Sequence, residues 1–326
     1  MTARPRFVAP IAIAALVTVA AAGCSSSSSH ASAPAPLTST TTASPTTSTL
    51  PVAACARPHR PGQFSQSFTF AGAARTYQLY VPPVYTGRRD VPIVFDFHGY
   101  GSNAVQQMVY GNFKPEADRD DFLIVAPDGQ DPKNRHFNLS AEPGLQNDVK
   151  MVGALLTHME STLCVDAHRV YATGMSDGGA MTSTLACQMS NRFAAFAAVA
   201  VIIACGGPRP VPIMAFSGTA DPIVPFRGGT VNCCGHSTVG SAPGAMAGWA
   251  ATDHCSPAFR DVRLSREVIR RTWTGCAATS AAIFYIIVGG GHTWPGSIPI
   301  PGLGMTTRQV DASATIWRFF RGRTLA

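Results

Sequence analysis

Charge is scarce in this chain of 326 residues. Asp, Glu, Lys and Arg make up 13% of it against 46% hydrophobic residues, so the chain can bury a sizeable core and is not disordered as a whole. Lys and Arg outnumber Asp and Glu by 25 to 18, but they are scattered, as in Arg88-Arg89, Arg270-Arg271 and Arg321-Gly322-Arg323. A long basic run and an aromatic-interleaved basic patch are both lacking, and with them the pattern of a nucleic-acid binder. Also lacking are internal repeats, and the apolar run from Phe7 to Val19 is short for a membrane span. Discounting the N-terminal stretch leaves about 270 residues, enough for one large domain and tight for two.

What is present begins with a short basic start, the apolar run and then Ala20-Ala21-Ala22-Gly23 before Cys24. Residues 1–23 therefore read as an export signal. Small residues directly before a cysteine resemble the bacterial lipobox, which implies that Cys24 is lipidated. Ala21 stands where that motif prefers Leu, and ordinary secretion with a spectator Cys24 is the alternative. From 25 to 54 nearly every residue is Ser, Thr, Ala or Pro, without formal charge, and cannot bury enough apolar surface to fold. Residues 24–54 are expected to be a tether with a root-mean-square span of roughly 30 Å. Residues 55–326 are expected to form the single folded domain.

Apart from Cys24 there are eight cysteines: Cys55, Cys164, Cys187, Cys205, Cys233, Cys234, Cys255 and Cys276. An even number behind an export signal predicts disulfides, with pairings that the sequence does not choose among. The alternative, a zinc site built from Cys233-Cys234-Gly235-His236 with Cys255, lacks a second spaced Cys or His pair. No metal is expected.

After Cys55 the chain alternates β-rich runs with segments of helical period, the pattern of a largely parallel sheet covered by helices on both faces. Strands are predicted over 76–81, 92–97, 122–126, 169–173, 193–203, 211–216 and 281–288. Helices are predicted around Val149 to Met159, directly after residue 176, and around Ala312 to Phe320. The stretch 227–263 reads as an irregular insertion.

Within this pattern stands Gly174-Met175-Ser176-Asp177-Gly178. A G-x-S-x-G match carries little weight alone, since about 0.2 arise by chance in such a chain. Here a predicted strand runs into it and a predicted helix leaves it, the setting of a nucleophile elbow. A serine hydroxyl needs a positioned base, and the base needs an orienting acid. His292 follows Gly289-Gly290-Gly291 directly after the last predicted strand, whereas His236 and His254 lie in the insertion. Asp221, in Ser217-Gly218-Thr219-Ala220-Asp221-Pro222, is the acid at a strand end; Asp253 and Asp261 lie in the insertion. The candidate triad is Ser176, Asp221 and His292. An oxyanion needs backbone donors, for which the candidates are the amides of Asp177 and of Tyr100 in His98-Gly99-Tyr100-Gly101-Ser102.

From about Phe68 onward, these segments together resemble the polyhydroxybutyrate depolymerase and feruloyl or acetylxylan esterase group of α/β-hydrolases. The motifs are Phe97-His98-Gly99, Pro127-Asp128-Gly129, the run from Arg169 to Gly179, Gly218-Thr219-Ala220-Asp221-Pro222 and Gly291-His292-Thr293-Trp294-Pro295-Gly296. The resemblance implies an α/β-hydrolase fold, the same triad, and hydrolysis of a small or polymeric carboxylic ester through an acyl-enzyme without metal or cofactor. It implies that His98, Gly99 and Trp294 border the substrate and that Cys255 pairs with Cys276. The family usually has Asn where Asp177 stands, and Cys233-Cys234 has no counterpart. The expected protein is a monomer, held at a membrane by its lipid only or secreted. An envelope acyltransferase with the same triad and an inactive tethered binding protein are the alternatives.

Overall fold

A computed structural model describes residues 55–325 apart from 131–133, 140–143, 208, 235–236 and 278. The expected leader, tether and Cys24, and His236 of the zinc alternative, lie outside the described residues.

In chain order the elements are β1 (Gly62–Phe70), β2 (Ala73–Val81), β3 (Val91–Phe97), α1 (Ala104–Tyr110), α2 (Lys114–Asp120), β4 (Leu123–Pro127) and α3 (Asp148–Thr162). Then come β5 (Val165–Met175), α4 (Asp177–Gln188), β6 (Ala195–Val199), β7 (Pro212–Gly218), β8 (Gly229–Thr230), β9 (Thr238–Val239) and α5 (Ala242–Thr252). β10 (Phe259–Arg263), β11 (Val268–Trp273), β12 (Ala281–Ile287) and α6 (Ala312–Phe320) complete the chain. Ten strands form one sheet in the order β1-β2-β4-β3-β5-β6-β7-β12-β11-β10, and β8 pairs with β9 separately. The six central strands from β4 to β12 are mutually parallel, while β1, β2, β10 and β11 are joined antiparallel at the two ends.

The residues explain this division. β3, β4, β6 and β7 are buried along their whole length, as continuous apolar runs covered on both faces require. Alternate side chains feed two cores. Ile93, Phe95, Phe196, Ala198, Ile213 and Phe284 pack with α3, α4 and α5 on one face. Val94, Ala195, Ala197, Met214, Tyr285 and Ile287 pack with α1, α2 and α6 on the other. The edges are polar. On β10, Arg260, Asp261 and Arg263 are exposed or nearly so, and Arg271 of β11 pairs with Asp261 at 2.8 Å while lying over the Phe259 ring. Charged edge strands discourage pairing with other chains.

Two expectations are corrected. The stretch 227–263 is not merely irregular, because it contributes α5, whose Trp249 is fully buried in the core, and the edge strand β10. The strand predicted over 193–203 is confined to Ala195–Val199, since Ala200 turns to a positive φ of 66°. The cysteines pair as Cys55–Cys164, Cys187–Cys205, Cys233–Cys234 and Cys255–Cys276, the last as the resemblance implies. With Cys255 in a disulfide, the zinc alternative loses a ligand. Among the described residues no helix is long and apolar enough to cross a membrane.

Asp253, which ends α5, is fully buried and accepts the Val211 amide at 2.7 Å. Burial pushes its carboxyl up to about 7, partly opposed by that hydrogen bond and by Arg209. An unfolded Asp titrates near about 4, so the folded state binds the proton more tightly and stability falls as pH rises from about 4 to about 7. Asp253→Asn removes this dependence. Thermal melts should show the Tm difference moving in the variant's favour between about pH 4 and about pH 8. An unchanged difference would rule out a protonated buried Asp253.

Candidate active site

Ser176 ends the central strand β5 and caps α4. Its φ of 58° and ψ of −115° lie in a region that non-glycine residues rarely adopt. Sheet order explains what holds it there, since β5 lies between β3 and β6 and α4 must start in the gap between their ends. On the β3 side, a Cβ on Gly178 would land on the Phe97 carbonyl. On the β6 side, a Cβ on Gly179 would lie 2.5 Å from the Val201 carbonyl oxygen and 2.9 Å from that of Val199. Gly174 is closed in by the Gly178 and Phe97 carbonyls at 2.6 and 2.7 Å. The Ser176 amide donates to the Val199 carbonyl at 2.9 Å, and the Ser176 carbonyl accepts the Ala180 amide, fixing the turn from both sides.

Asp221 and His292 come from the ends of the parallel neighbours β7 and β12, whose loops are knitted together first. The Thr219 amide donates to the Ile287 carbonyl and the Ala220 amide to that of Gly290, both at 2.9 Å. The Gly289 amide donates to Thr219 Oγ1 at 2.8 Å. A side chain on Gly218 would strike the Gly290 and Gly291 carbonyls. His292 Nδ1 and Asp221 Oδ2 are 2.8 Å apart, with both side chains at least 95% buried. The other oxygen, Oδ1, accepts the amides of Ile223 and Val224 at 2.8 Å each. A carboxylate so held accepts a hydrogen bond from Nδ1–H of the ring, leaving Nε2 as an acceptor.

Ser176 and His292 open on one cavity of about 800 Å³, lined also by Gly99, Tyr100 and Met175. Gly99 abuts the serine, for a Cβ built on it would sit 3.4 Å from Ser176 Cβ. The Tyr100 ring, 40% exposed, stacks on His136. Asp177 accepts the Phe137 amide on Oδ2 at 2.8 Å. In sum, a hydroxyl at a helix N-terminus shares a cleft with an imidazole whose far nitrogen is held by a carboxylate, an arrangement suited to acyl transfer.

Two residues expected to border the substrate, His98 and Trp294, do not line this cavity. His98 is fully buried. Its Nε2 accepts the Gly129 amide at 2.9 Å, so its Nδ1 carries the hydrogen that meets the Gly99 carbonyl at 2.7 Å. Burial lowers its pKa to about 4, and the neutral ring joins the 97–99 and 127–129 motifs. Trp294 is 1% exposed and lies edge-on against Phe113. Its indole donates to Ser313 Oγ and its amide to the Tyr110 hydroxyl. Both residues follow site motifs in the chain yet turn into the core, where their polar atoms find protein partners. Sequence reasoning missed much of the cleft wall: Val105 and Val109 one turn apart on α1, Ile223, Ile298 and Ile300, and the pair Cys233–Cys234. The sequence carried no signal for these residues; only the structure shows Val105, Val109, Ile298 and Ile300 left exposed.

A parallel sheet between two helical layers and a serine at the elbow of its central strand define the α/β-hydrolase class, and the relatives of the chain make it a carboxylic ester hydrolase. Feruloyl esterase C of Emericella nidulans is 28% identical over 254 residues, covering 76% of this chain and 83% of that protein. Feruloyl esterase B of Piromyces equi is 30% identical over 157 residues, 45% of this chain and 29% of that protein. The structure of acetyl xylan esterase from Aspergillus awamori is similar with a TM-score of 0.56 at 16% identity, covering 79% of this chain and 99% of that one, a likeness of fold. Residues 75–217 match the family described as Esterase PHB depolymerase.

His98→Ala would leave the buried Gly129 amide unpaired, at a cost of about 1–3 kcal/mol. His98 binds fewer protons when folded, so its neutral ring favours the native state increasingly as pH rises from about 4 to about 6.5. Urea unfolding should therefore show the variant's deficit growing over that interval. A deficit independent of pH would contradict the buried neutral ring.

Proposed function

We propose that this protein hydrolyses carboxylic esters through an acyl-enzyme on Ser176. His292 takes the serine proton on Nε2 as Oγ attacks the ester carbonyl and returns it to the leaving alcohol; it then activates the water that releases the acid. Asp221 orients His292 and stabilises its charged form. The amides of Tyr100 and Asp177 bind the oxyanion, backed by the N-terminus of α4. The observation that carries this reading is the Asp221-bound imidazole opening with Ser176 on one cleft.

The substrates are esters of feruloyl, acetyl or hydroxyalkanoate type, the range suggested by the named relatives and the family match. A cleft of about 800 Å³ with apolar walls favours an organic group larger than acetyl. The protein works outside the cytoplasm: residues 1–23 direct export, Cys24 carries the lipid and residues 24–54 form the tether. Four disulfides in the folded domain suit that compartment.

Ser176→Ala should lower kcat on a p-nitrophenyl ester by up to about a millionfold and abolish labelling by a fluorophosphonate. Retained turnover, or labelling at another residue, would overturn the assignment.

A further inference from the structure

The Cys233–Cys234 disulfide is the one feature of the cleft that neither the triad nor the folding of the chain explains. Disulfides stabilise proteins chiefly by closing loops in the unfolded chain. A bond between neighbouring residues closes no loop, whereas Cys55–Cys164 spans 109 residues. What it does instead is stiffen one turn, in which Cys234 sits in the left-handed region at φ 57°.

That turn is fastened to the acid of the triad. The amide of the preceding residue, Asn232, donates to the Ile223 carbonyl, and its side-chain Nδ2 donates to the Pro222 carbonyl, both at 2.9 Å. Pro222 and Ile223 directly follow Asp221, and the Ile223 amide binds the Asp221 carboxylate. The pair is thus placed relative to His292 through two short links, and both cysteines line the cavity that Ser176 and His292 share. Val105 and Val109 of α1, with Ile298 and Ile300, supply further apolar lining. A fused disulfide turn presents two polarizable sulfurs without an N–H or O–H donor in its side chains. Sulfur favours contact with aromatic rings.

We propose that the Cys233–Cys234 disulfide is a specificity-determining wall of the cleft, a rigid sulfur face against which a planar aromatic group of the ester packs. It raises the preference for arylalkenoyl over acetyl esters. This rests on Ser176 being the nucleophile, and it adds a residue pair and a direction of selectivity to that reading.

The test compares kcat/KM for p-nitrophenyl cinnamate and p-nitrophenyl acetate in the native protein and in C233S/C234S. The double variant keeps the side-chain size and cuts the bond. The cinnamate-to-acetate ratio should fall about threefold or more, within the range that sulfur–aromatic contact supplies. The fall should appear mainly in KM for the cinnamate, as loss of a binding wall requires and loss of catalytic geometry does not. Fluorophosphonate labelling of the variant reports that Ser176 and His292 are assembled. A labelled variant whose ratio changes less than this overturns the wall. Failure of the native protein to label would instead sink the serine mechanism. If the variant does not fold, the same ratio is read on native protein in which a phosphine has opened that pair alone, verified by peptide mapping. An unchanged ratio there overturns the proposal equally.

Discussion

The site depends on one close approach, the start of α4 pressed between the ends of β3 and β6. A helix leaving the middle strand of three has no room there unless its first residues lack side chains. Gly178 clears the Phe97 carbonyl and Gly179 those of Val199 and Val201. The turn that results holds Ser176 at positive φ, a conformation costing on the order of 1–3 kcal/mol for a residue with a side chain. The surroundings hold it: the Ser176 amide is tied to Val199 of the next strand, and its carbonyl begins the helix. Crowding beneath the serine is also what raises its hydroxyl above the sheet edge.

The sheet order brings His292 to the same cleft as that hydroxyl. Asp221 and His292 follow β7 and β12, beyond β6, so their loops must lean back toward β5. The chain after His292 secures this. The Gly291 amide donates to the Met305 carbonyl and the His292 amide to that of Leu303, so the returning segment both holds the histidine and walls the cleft. Trp294 anchors the same loop from below, tying it to Tyr110 at the end of α1 and to Ser313 on α6. On the opposite side His98 does comparable work, holding the Gly99 and Gly129 backbones together beside the serine. His98 and Trp294 are therefore positioning residues, one under each side of the site.

Chemistry placed at the ends of apolar strands was readable without coordinates. Ser176, Asp221 and His292 each follow a buried run, and in a parallel sheet such ends converge on one edge. Sequence adjacency could not tell which way a neighbouring side chain turns, and His98 and Trp294 face inward. Elements with one exposed face were lost as well: β11 interrupts its apolar residues with Arg270, Arg271 and Thr272, and β10 is mostly exposed. In β1 the alternation of Phe64, Phe68 and Phe70 with Ser, Gln and Thr was a legible period-two signal. The burial of α5 was not legible, because its small residues hide the one large anchor, Trp249.

Asp177 poses the last physical question. A carboxylate beside Ser176 stands in the first turn of α4, and any further negative charge brought to that helix end would be opposed by it. The local structure turns the group to another use. Its Oδ2 accepts the Phe137 amide 40 residues away, and Asp177 lies in the first turn of α4, where the aligned peptide dipoles favour an anion. The charge is thus taken up by the scaffold: it ties the segment carrying Phe137, which packs on both Phe97 and His98, to the elbow itself. An Asn side chain could make the same bond with its oxygen, so the elbow's geometry does not depend on the charge. What it adds is a negative charge at the N-terminal end of α4, and the Phe137 amide is one of the donors that compensate for it.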